Sequence, residues 1–313
     1  VNVYNPVLRE ADGVLAGPDA RPYWDGGYSN DAEFRNVFLL TNSERTPYSH
    51  SLATTLSKQF DNGFYGSISY VTSRAYDLGA TGGSQAGSLW SAVVQEDRND
   101  PELGFSGANQ PNRFIANFNY QKDGTTIGLF WQGGENGRFS YTYSGNFGDN
   151  ADRLMYIPKN ASELNFEEYT LDGNIITEQA QVNLLNNYIA QDDYLSENKG
   201  QVAERNGAIL PWINRYDLRI TQDIELTKNE KNTIQLSMDF LNVGNMFNSD
   251  WGVPQFAFQR NVLNYRGRNA ANEPIYRVNT IRGTSDLPTE TFRPSASLAD
   301  TWRLQVGIRY LFN

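Results

Sequence analysis

The last thirteen residues constrain the chain more than any other stretch. Trp302, Leu304, Val306, Ile308, Tyr310 and Phe312 occupy alternate positions, Arg303, Gln305, Gly307 and Arg309 fill the places between, and only Leu311 is out of step. A period of two means a β-strand with one apolar and one polar face. Residues 215–226 repeat the pattern, with Tyr216, Leu218, Ile220, Ile224 and Leu226 against Arg215, Asp217, Arg219, Thr221, Asp223 and Glu225. The same alternation predicts strands at 47–60, 63–77, 112–121, 125–134 and 233–246, the last carrying Ile234, Leu236, Met238 and Phe240 on one face and Asp239 on the other.

The connections are as informative as the strands. Asp61-Asn62-Gly63, Lys122-Asp123-Gly124 and the segment 227–232 read as tight turns that join strands in pairs. Between the pairs lie segments of a length that compact soluble domains rarely tolerate, at 79–111, 135–210 and 247–300. Short turns strictly alternating with long loops put all the turns at one end of the sheet and all the loops at the other. Bacterial outer-membrane barrels have this asymmetry.

Composition fits that class. Hydrophobic residues make up 39% of 313 positions, below the usual share for globular domains, yet Tyr, Phe and Gly number 18, 17 and 27. There is no Cys and one His, which removes disulfide scaffolds, thiol nucleophiles and Cys- or His-cluster metal sites. A net charge of −10 argues against nucleic acid as a partner. No stretch is apolar for the roughly 18–20 residues of a membrane helix, whereas a barrel strand needs only about 9–11 alternating ones. The chain opens Val1-Asn2-Val3-Tyr4 without a leader, as a mature chain or a fragment would.

The expected fold is therefore all-β, an antiparallel transmembrane barrel of which this chain supplies seven or eight strands. Residues 1–46 read as an outer loop with the end of an eighth strand, and 47–313 as the C-terminal strands with their large outer loops. Seven strands do not close a bacterial barrel, which has at least about 8 and an even count. A soluble β-sandwich, which also alternates, is the alternative, but it favours strands of about 5–6 residues and buries its apolar faces sheet on sheet. Arg215, Asp217, Arg219, Asp223, Glu225, Asp239, Arg303 and Arg309 are expected to line the lumen, facing water or a polar plug. Trp302, Tyr310, Phe312, Phe60, Phe64, Tyr120 and Trp131 fall at strand ends, where interfacial aromatic girdles would stand.

At the C-terminus, Gln305, Gly307, Tyr310 and Phe312 resemble the signal by which the barrel assembly machinery recognises its clients, departing from it only in the final Asn313. Further segments resemble, in order, the C-terminal half of the Oar-like TonB-dependent receptors of the Bacteroidetes type. They are Phe38-Leu39-Leu40-Thr41-Asn42, Tyr70-Val71-Thr72-Ser73-Arg74-Ala75, Asn112-Arg113-Phe114, Asp152-Arg153-Leu154-Met155-Tyr156-Ile157-Pro158, Glu204-Arg205-Asn206-Gly207, Pro211-Trp212-Ile213-Asn214-Arg215 and Leu241-Asn242-Val243-Gly244-Asn245. The resemblance implies a barrel of about 22 strands with a plugged lumen. Its partners would be the N-terminal strands and plug, the TonB energy-coupling complex, and the lipid and lipopolysaccharide of the bacterial outer membrane. The implied activity is energised uptake of a nutrient by a transporter, not an enzyme. Rival readings are a non-energised binding or adhesion barrel, an outer-membrane hydrolase and a soluble glycan-binding protein.

Site candidates lie in the long loops. Asp149 and Asp152, in Phe147-Gly148-Asp149-Asn150-Ala151-Asp152, offer closely spaced oxygens for Ca²⁺, against a solvated acidic turn as the plainer reading, and no other cofactor is expected. Thr177 reads as the N-cap of a short helix whose Val182, Leu185 and Ile189 share a face and pack the loop down. Trp90, Tyr188, Tyr194 and Trp251, with Tyr169 and Phe256, either contact a ligand or pack within the loops. His50 reads as a loop-edge residue near the outer interface; no orienting acid or oxyanion hole accompanies it in the sequence. No Gly-rich segment carries a nucleotide-binding pattern.

Overall fold

The computed structural model describes residues 2–6, 13–23, 38–79, 85, 92–96, 100–145, 153–226, 232–295 and 297–312. Seven long strands form one antiparallel sheet: β1 (Tyr48–Gln59), β2 (Phe64–Asp77), β3 (Asn112–Lys122), β4 (Thr125–Glu135), β5 (Trp212–Glu225), β6 (Asn232–Leu241) and β7 (Arg303–Phe312). Their order in space is their order in sequence, each hydrogen-bonded to the next, with Gly104–Phe105 added beside the end of β2. Among the described residues the regular structure is mostly β-sheet, with two α-helices and three 3₁₀ turns. Among the described residues the sheet is open, and β1 and β7 are its edges.

The register explains the alternation. Directly opposed residues in an antiparallel pair share a face. Ile308 stands opposite Leu236, and Val306 opposite Met238. Met238 in turn opposes Ile220, which opposes Ile127. Ile127 opposes Tyr120, and Tyr120 opposes Phe64. Leu56 of β1 opposes Ile68. One apolar face thus runs unbroken over all seven strands, and it is exposed: Ile308 at 76%, Leu56 at 73%, Val306 at 67%. Slipping any strand by one residue would turn that row to the polar side.

Tight turns close one end. Asp123 and Gly124, at φ 49° and 77°, make the two-residue hairpin turn whose twist matches the flanking strands. Gly63 has φ 88°, and a Cβ there would collide with the Gln121 carbonyl of the neighbouring hairpin. β6 and β7 meet this end with Phe312 beside Asn232. β6 is shorter than the alternation predicts, ending at Leu241 instead of 246. Asn242 turns left-handed (φ 52°), is fully buried, donates from Nδ2 to the Asp300 carbonyl at 2.6 Å, and leads into a 3₁₀ turn over Val243–Met246.

At the opposite end the long segments fold into a layer with its own interior. Tyr141, Tyr143, Ile157, Leu185, Leu195 and Tyr276 are among its most buried residues, and Leu15 of the 13–23 segment joins them. The buried core of the chain thus lies in the loops. Thr177 does cap α1 (Glu178–Ala190), accepting from the Ala180 N–H at 3.2 Å, and Leu185 and Ile189 are buried beneath it. The interior is knit by short pairings distant in sequence. Asn165–Phe166 runs parallel to Pro274–Val278, and Arg138–Phe139 pairs with Ala208–Ile209.

Candidate functional site

Two surfaces could meet a ligand: the polar face of the sheet and the loop layer. Because β5 alternates, Arg215, Asp217, Arg219, Asp223 and Glu225 share the face opposite the apolar rows. The register adds Asp239 opposite Arg219, Gln305 opposite Asp239, and Arg309 opposite Gln235, with Arg303 on the same side. Arg219 Nε lies 3.5 Å from Asp239 Oδ1, and Arg215 Nε 3.4 Å from Asp217 Oδ1. Asp223 accepts from Gln235 Nε2 at 2.8 Å, and Asp217 from the Asn242 N–H at 2.6 Å. Pairs this exposed contribute little to stability, so they leave a wetted, charged wall. Towards the loop end of that wall a cleft of ≈310 Å³ is bordered by Arg113, Gln132 and Arg215 and closed by Gly252, Pro254 and Asp300 of the last loop.

The C-terminal residues singled out in the sequence all lie on β7. Tyr310 and Phe312 fall on the apolar face at the turn end, with rings 5.8 Å apart, and Tyr310 donates to Asn232 Oδ1 at 2.7 Å. Gly307 lies opposite Ser237, whose Oγ would sit 2.6 Å from an added Cβ. Aromatic pairs recur at both ends of the apolar face. Phe64 meets Tyr120 at 4.5 Å near the turns, and Tyr70 meets Phe114 at 4.7 Å nearer the loops.

The loop layer is held by buried polar hubs that sequence reasoning did not single out. Asp19 accepts from Arg21 Nε (2.6 Å), Tyr143 (2.8 Å) and Tyr276 (2.7 Å), tying the 13–23 segment into the interior. Burial pulls the Arg21 guanidinium down, but Asp19 together with Tyr143, Glu96 and Tyr276 more than offsets this and holds it charged. Asp192 accepts from Tyr141 (2.5 Å) and Thr291 (2.8 Å) with one oxygen, and with the other it caps α2 (Asp193–Glu197) at the Leu195 N–H, 2.9 Å. Burial raises the hydroxyl pKa values of Tyr141, Tyr143, Tyr188 and Tyr276, and pushes Tyr194 up to about 12. The one sequence signal for Asp192 was its position just ahead of Asp193-Tyr194-Leu195, as an N-cap.

The Glu204-Arg205-Asn206-Gly207 segment clasps this layer to the sheet. Arg205 donates to Asp77 Oδ1 at 2.7 Å and to the Gly104 carbonyl at 3.1 Å; Asn206 Nδ2 donates to the Phe105 carbonyl at 2.8 Å. Arg138 donates to Asn109 Oδ1 at 2.7 Å with its guanidinium 3.9 Å from the centre of the Phe105 ring.

The loop aromatics divide. Of the two readings left open for it, Tyr188 takes interior packing: it is 1% exposed and donates to the Gln259 carbonyl at 2.8 Å, because α1 turns it inward with Leu185. Tyr194 accepts from the Glu204 N–H at 2.7 Å and stacks on Tyr141 at 6.0 Å. Trp251 stays half exposed, and Phe256 likewise. Trp90, Asp149 and Asp152 lie outside the described residues. Among the described residues no His, Cys, Asp and Glu group is arranged to hold a metal. His50 is exposed on β1 with its ring 6.3 Å from that of Tyr48. Compared with known proteins, the chain matches no family model, no curated protein and no solved structure.

Proposed function

We propose that the chain is the C-terminal wall and the outer loops of a bacterial outer-membrane barrel, a TonB-dependent receptor that takes up a nutrient. It is a transporter, not an enzyme. The observation that carries this reading is the apolar face continuous over seven strands and open to its surroundings, backed by a face of paired charges. Water is a poor solvent for a patch of that extent, and hydrocarbon a good one. The dimensions agree. Trp302 and Phe312 are separated by about 33 Å of strand, or about 25 Å of height at the tilt of membrane barrels.

Both edges of the sheet support membership in a larger barrel. Among the described residues β1 and β7 each have one edge without a neighbouring strand, a row of backbone groups that lipid would not satisfy, so on this reading further strands cover them. On this reading β7 closes against the missing first strand after the assembly machinery has engaged its terminal aromatics. The polar wall then faces the plug or the path past it, and the loop layer selects the ligand outside. The plug, TonB coupling and lipopolysaccharide rest on the resemblance, with no residue of this chain assigned to energy coupling.

The test uses the full-length protein from outer membranes. Unheated samples are expected to migrate faster than boiled ones on a denaturing gel, and uptake of its nutrient is expected to stop when the TonB complex is deleted. A detergent-free soluble protein without heat-dependent mobility would refute the barrel. A heat-modifiable barrel indifferent to TonB would leave a binding or adhesion barrel in its place.

A further inference from the structure

We infer that the segment 243–251, which belongs to no strand, seats Phe247 and Trp251 in the outer leaflet, at the boundary between lipid headgroups and acyl chains. The inference rests on the barrel reading and extends its lipid-facing surface from the strands to a loop. It starts from a gap in the sheet. β6 and β7 end together, with Leu241 opposite Arg303, whereas β5 continues from Asp217 to Trp212 beyond its last partner on β6. On the apolar face this leaves a row of rings with an open flank. Tyr70 meets Phe114 at 4.7 Å, Phe114 meets Trp131 at 6.1 Å, and Trp131 meets Tyr216 at 6.4 Å.

Within the sheet the row stops at Tyr216, and the loop carries it on. A Cβ added to Gly244 would lie 3.3 Å from Tyr216 Cδ2 and 3.6 Å from Trp251 Cε3, so the backbone of the 3₁₀ turn sits between the two rings. The turn is held in place from several sides. Asn245 Oδ1 accepts from the Trp302 N–H at 3.2 Å, and Asn245 Nδ2 donates to the Ser249 and Trp251 carbonyls at 2.7 and 3.2 Å. Trp302 marks the loop-end limit of the apolar height of β7, so the segment lies at that level. What it presents there is apolar. Phe247 is 78% exposed, and Met246 and Trp251 are half exposed. From 242 to 259 the sequence carries one charged residue, Asp250, and no Lys or Arg. Exposed apolar side chains scattered singly are ordinary, but these continue a large apolar face and stand where its aromatic rim falls. An indole suits that boundary and a phenyl ring the acyl chains beneath it. A segment already fixed by its own hydrogen bonds loses little freedom on entering lipid.

The test labels the full-length protein at single Cys substitutions with the polarity-sensitive fluorophore NBD and places it in phosphatidylcholine vesicles. A nitroxide quencher is carried either on the lipid headgroup or deep in the acyl chain. Three sites are compared: Phe247→Cys, Ile308→Cys in the middle of the apolar face, and Ile175→Cys, a similarly exposed apolar position of the loop layer. The Phe247 label is expected to emit further to the blue than the Ile175 label and to lose most of its emission to the headgroup nitroxide. The Ile308 label should lose most to the deep nitroxide, and the Ile175 label little to either. Met246→Cys is expected to follow Phe247→Cys, which guards against a local effect of one substitution. A Phe247 label quenched no more than the Ile175 label would overturn the inference. So would a blue-shifted Phe247 label that neither nitroxide quenches, since protein and not lipid would then cover it. The Ile308 label separates the two failures: quenched by the deep nitroxide, it keeps the barrel and sinks the loop insertion alone; quenched by neither, it refutes the barrel.

Discussion

The sheet and the loop layer use the same apolar residues and treat them in opposite ways. Ile308 and Leu56 stand three-quarters exposed on the sheet, while Ile157 and Leu185 are wholly buried in the loops. An aliphatic side chain left in water forgoes about 1.5–3 kcal/mol relative to burial, and a whole face of them forgoes it many times over. The loop layer solves its problem internally, with Tyr and Leu packed around Asp19 and Asp192. The sheet has no internal solution, since nothing among the described residues covers its apolar rows. The difference leaves the sheet with an apolar face that the described residues do not cover, and on the proposed barrel reading lipid is what covers it.

The largest expected effect strikes the loops alone. Tyr141, Tyr143, Tyr188, Tyr194 and Tyr276 all lie in the loop layer, and burial raises the pKa of each. In the unfolded chain they ionise near pH 10. The folded state therefore holds more protons than the unfolded one above that pH, and stability falls as pH rises. The stabilisation is complete below pH 10; the share from Tyr194 is lost by about pH 12, with the others still falling beyond it. From pH 10 upward the near-ultraviolet circular dichroism of the loop tyrosines is expected to fall away while heat-dependent gel mobility, expected of the strands, persists. Simultaneous loss of both would erase the distinction between the regions.

The next effect strikes the sheet alone. Ile308→Arg places a charge in the middle of the apolar face. On a water-facing surface it would change stability by no more than about 0.5 kcal/mol. At the mid-depth of a bilayer it is expected to cost about 2–4 kcal/mol, read from denaturant titration of the barrel in lipid vesicles. A cost under 0.5 kcal/mol would mean that water, not lipid, touches Ile308.

How much of this was legible beforehand follows the same divide. Six of the seven long strands fall within about three residues of the alternation, because one face of each meets a single environment and the period of two survives in the residues. β6 failed at its end: Leu241-Asn242-Val243 continues the chemical pattern, but Asn242 is held left-handed by partners at 252 and 300 that no local window contains. The polar set from Arg215 to Arg309 was readable for the same reason as the strands. The loop interior was not, because its pairings are short and distant, and the Asp19 hub joins residues 19 and 276. Nor can alternation tell a buried loop tyrosine from an exposed one, which is why Tyr188 was placed among the ligand-contacting candidates.

A smaller effect tests whether the loop layer is a folded unit or a set of tethered strands. Asp192→Ala leaves the Tyr141 and Thr291 hydroxyls without their shared acceptor and uncaps α2. Unmatched buried groups cost about 1–3 kcal/mol. Faster hydrogen exchange is expected together in α1, α2 and the 291 region, with β5 to β7 unchanged. Exchange confined to α2 would show that the layer does not fold cooperatively.

The smallest effect is Thr177→Ala. Thr177 Oγ1 accepts from the Ala180 N–H, one of the donors at the start of α1 that lacks a partner within the helix. Removing that cap costs about 1 kcal/mol, within a usual range of 0.5–2. The cost should appear as increased exchange in the first turn of α1, spreading to the Leu185 region because Leu185 and Ile189 pack the helix into the layer. It should leave the unheated gel band untouched, since no strand of the sheet touches that turn's hydrogen bond. A shift of that band would place α1 in the barrel's own stability and merge the two regions that Ile308 and Leu185 keep apart.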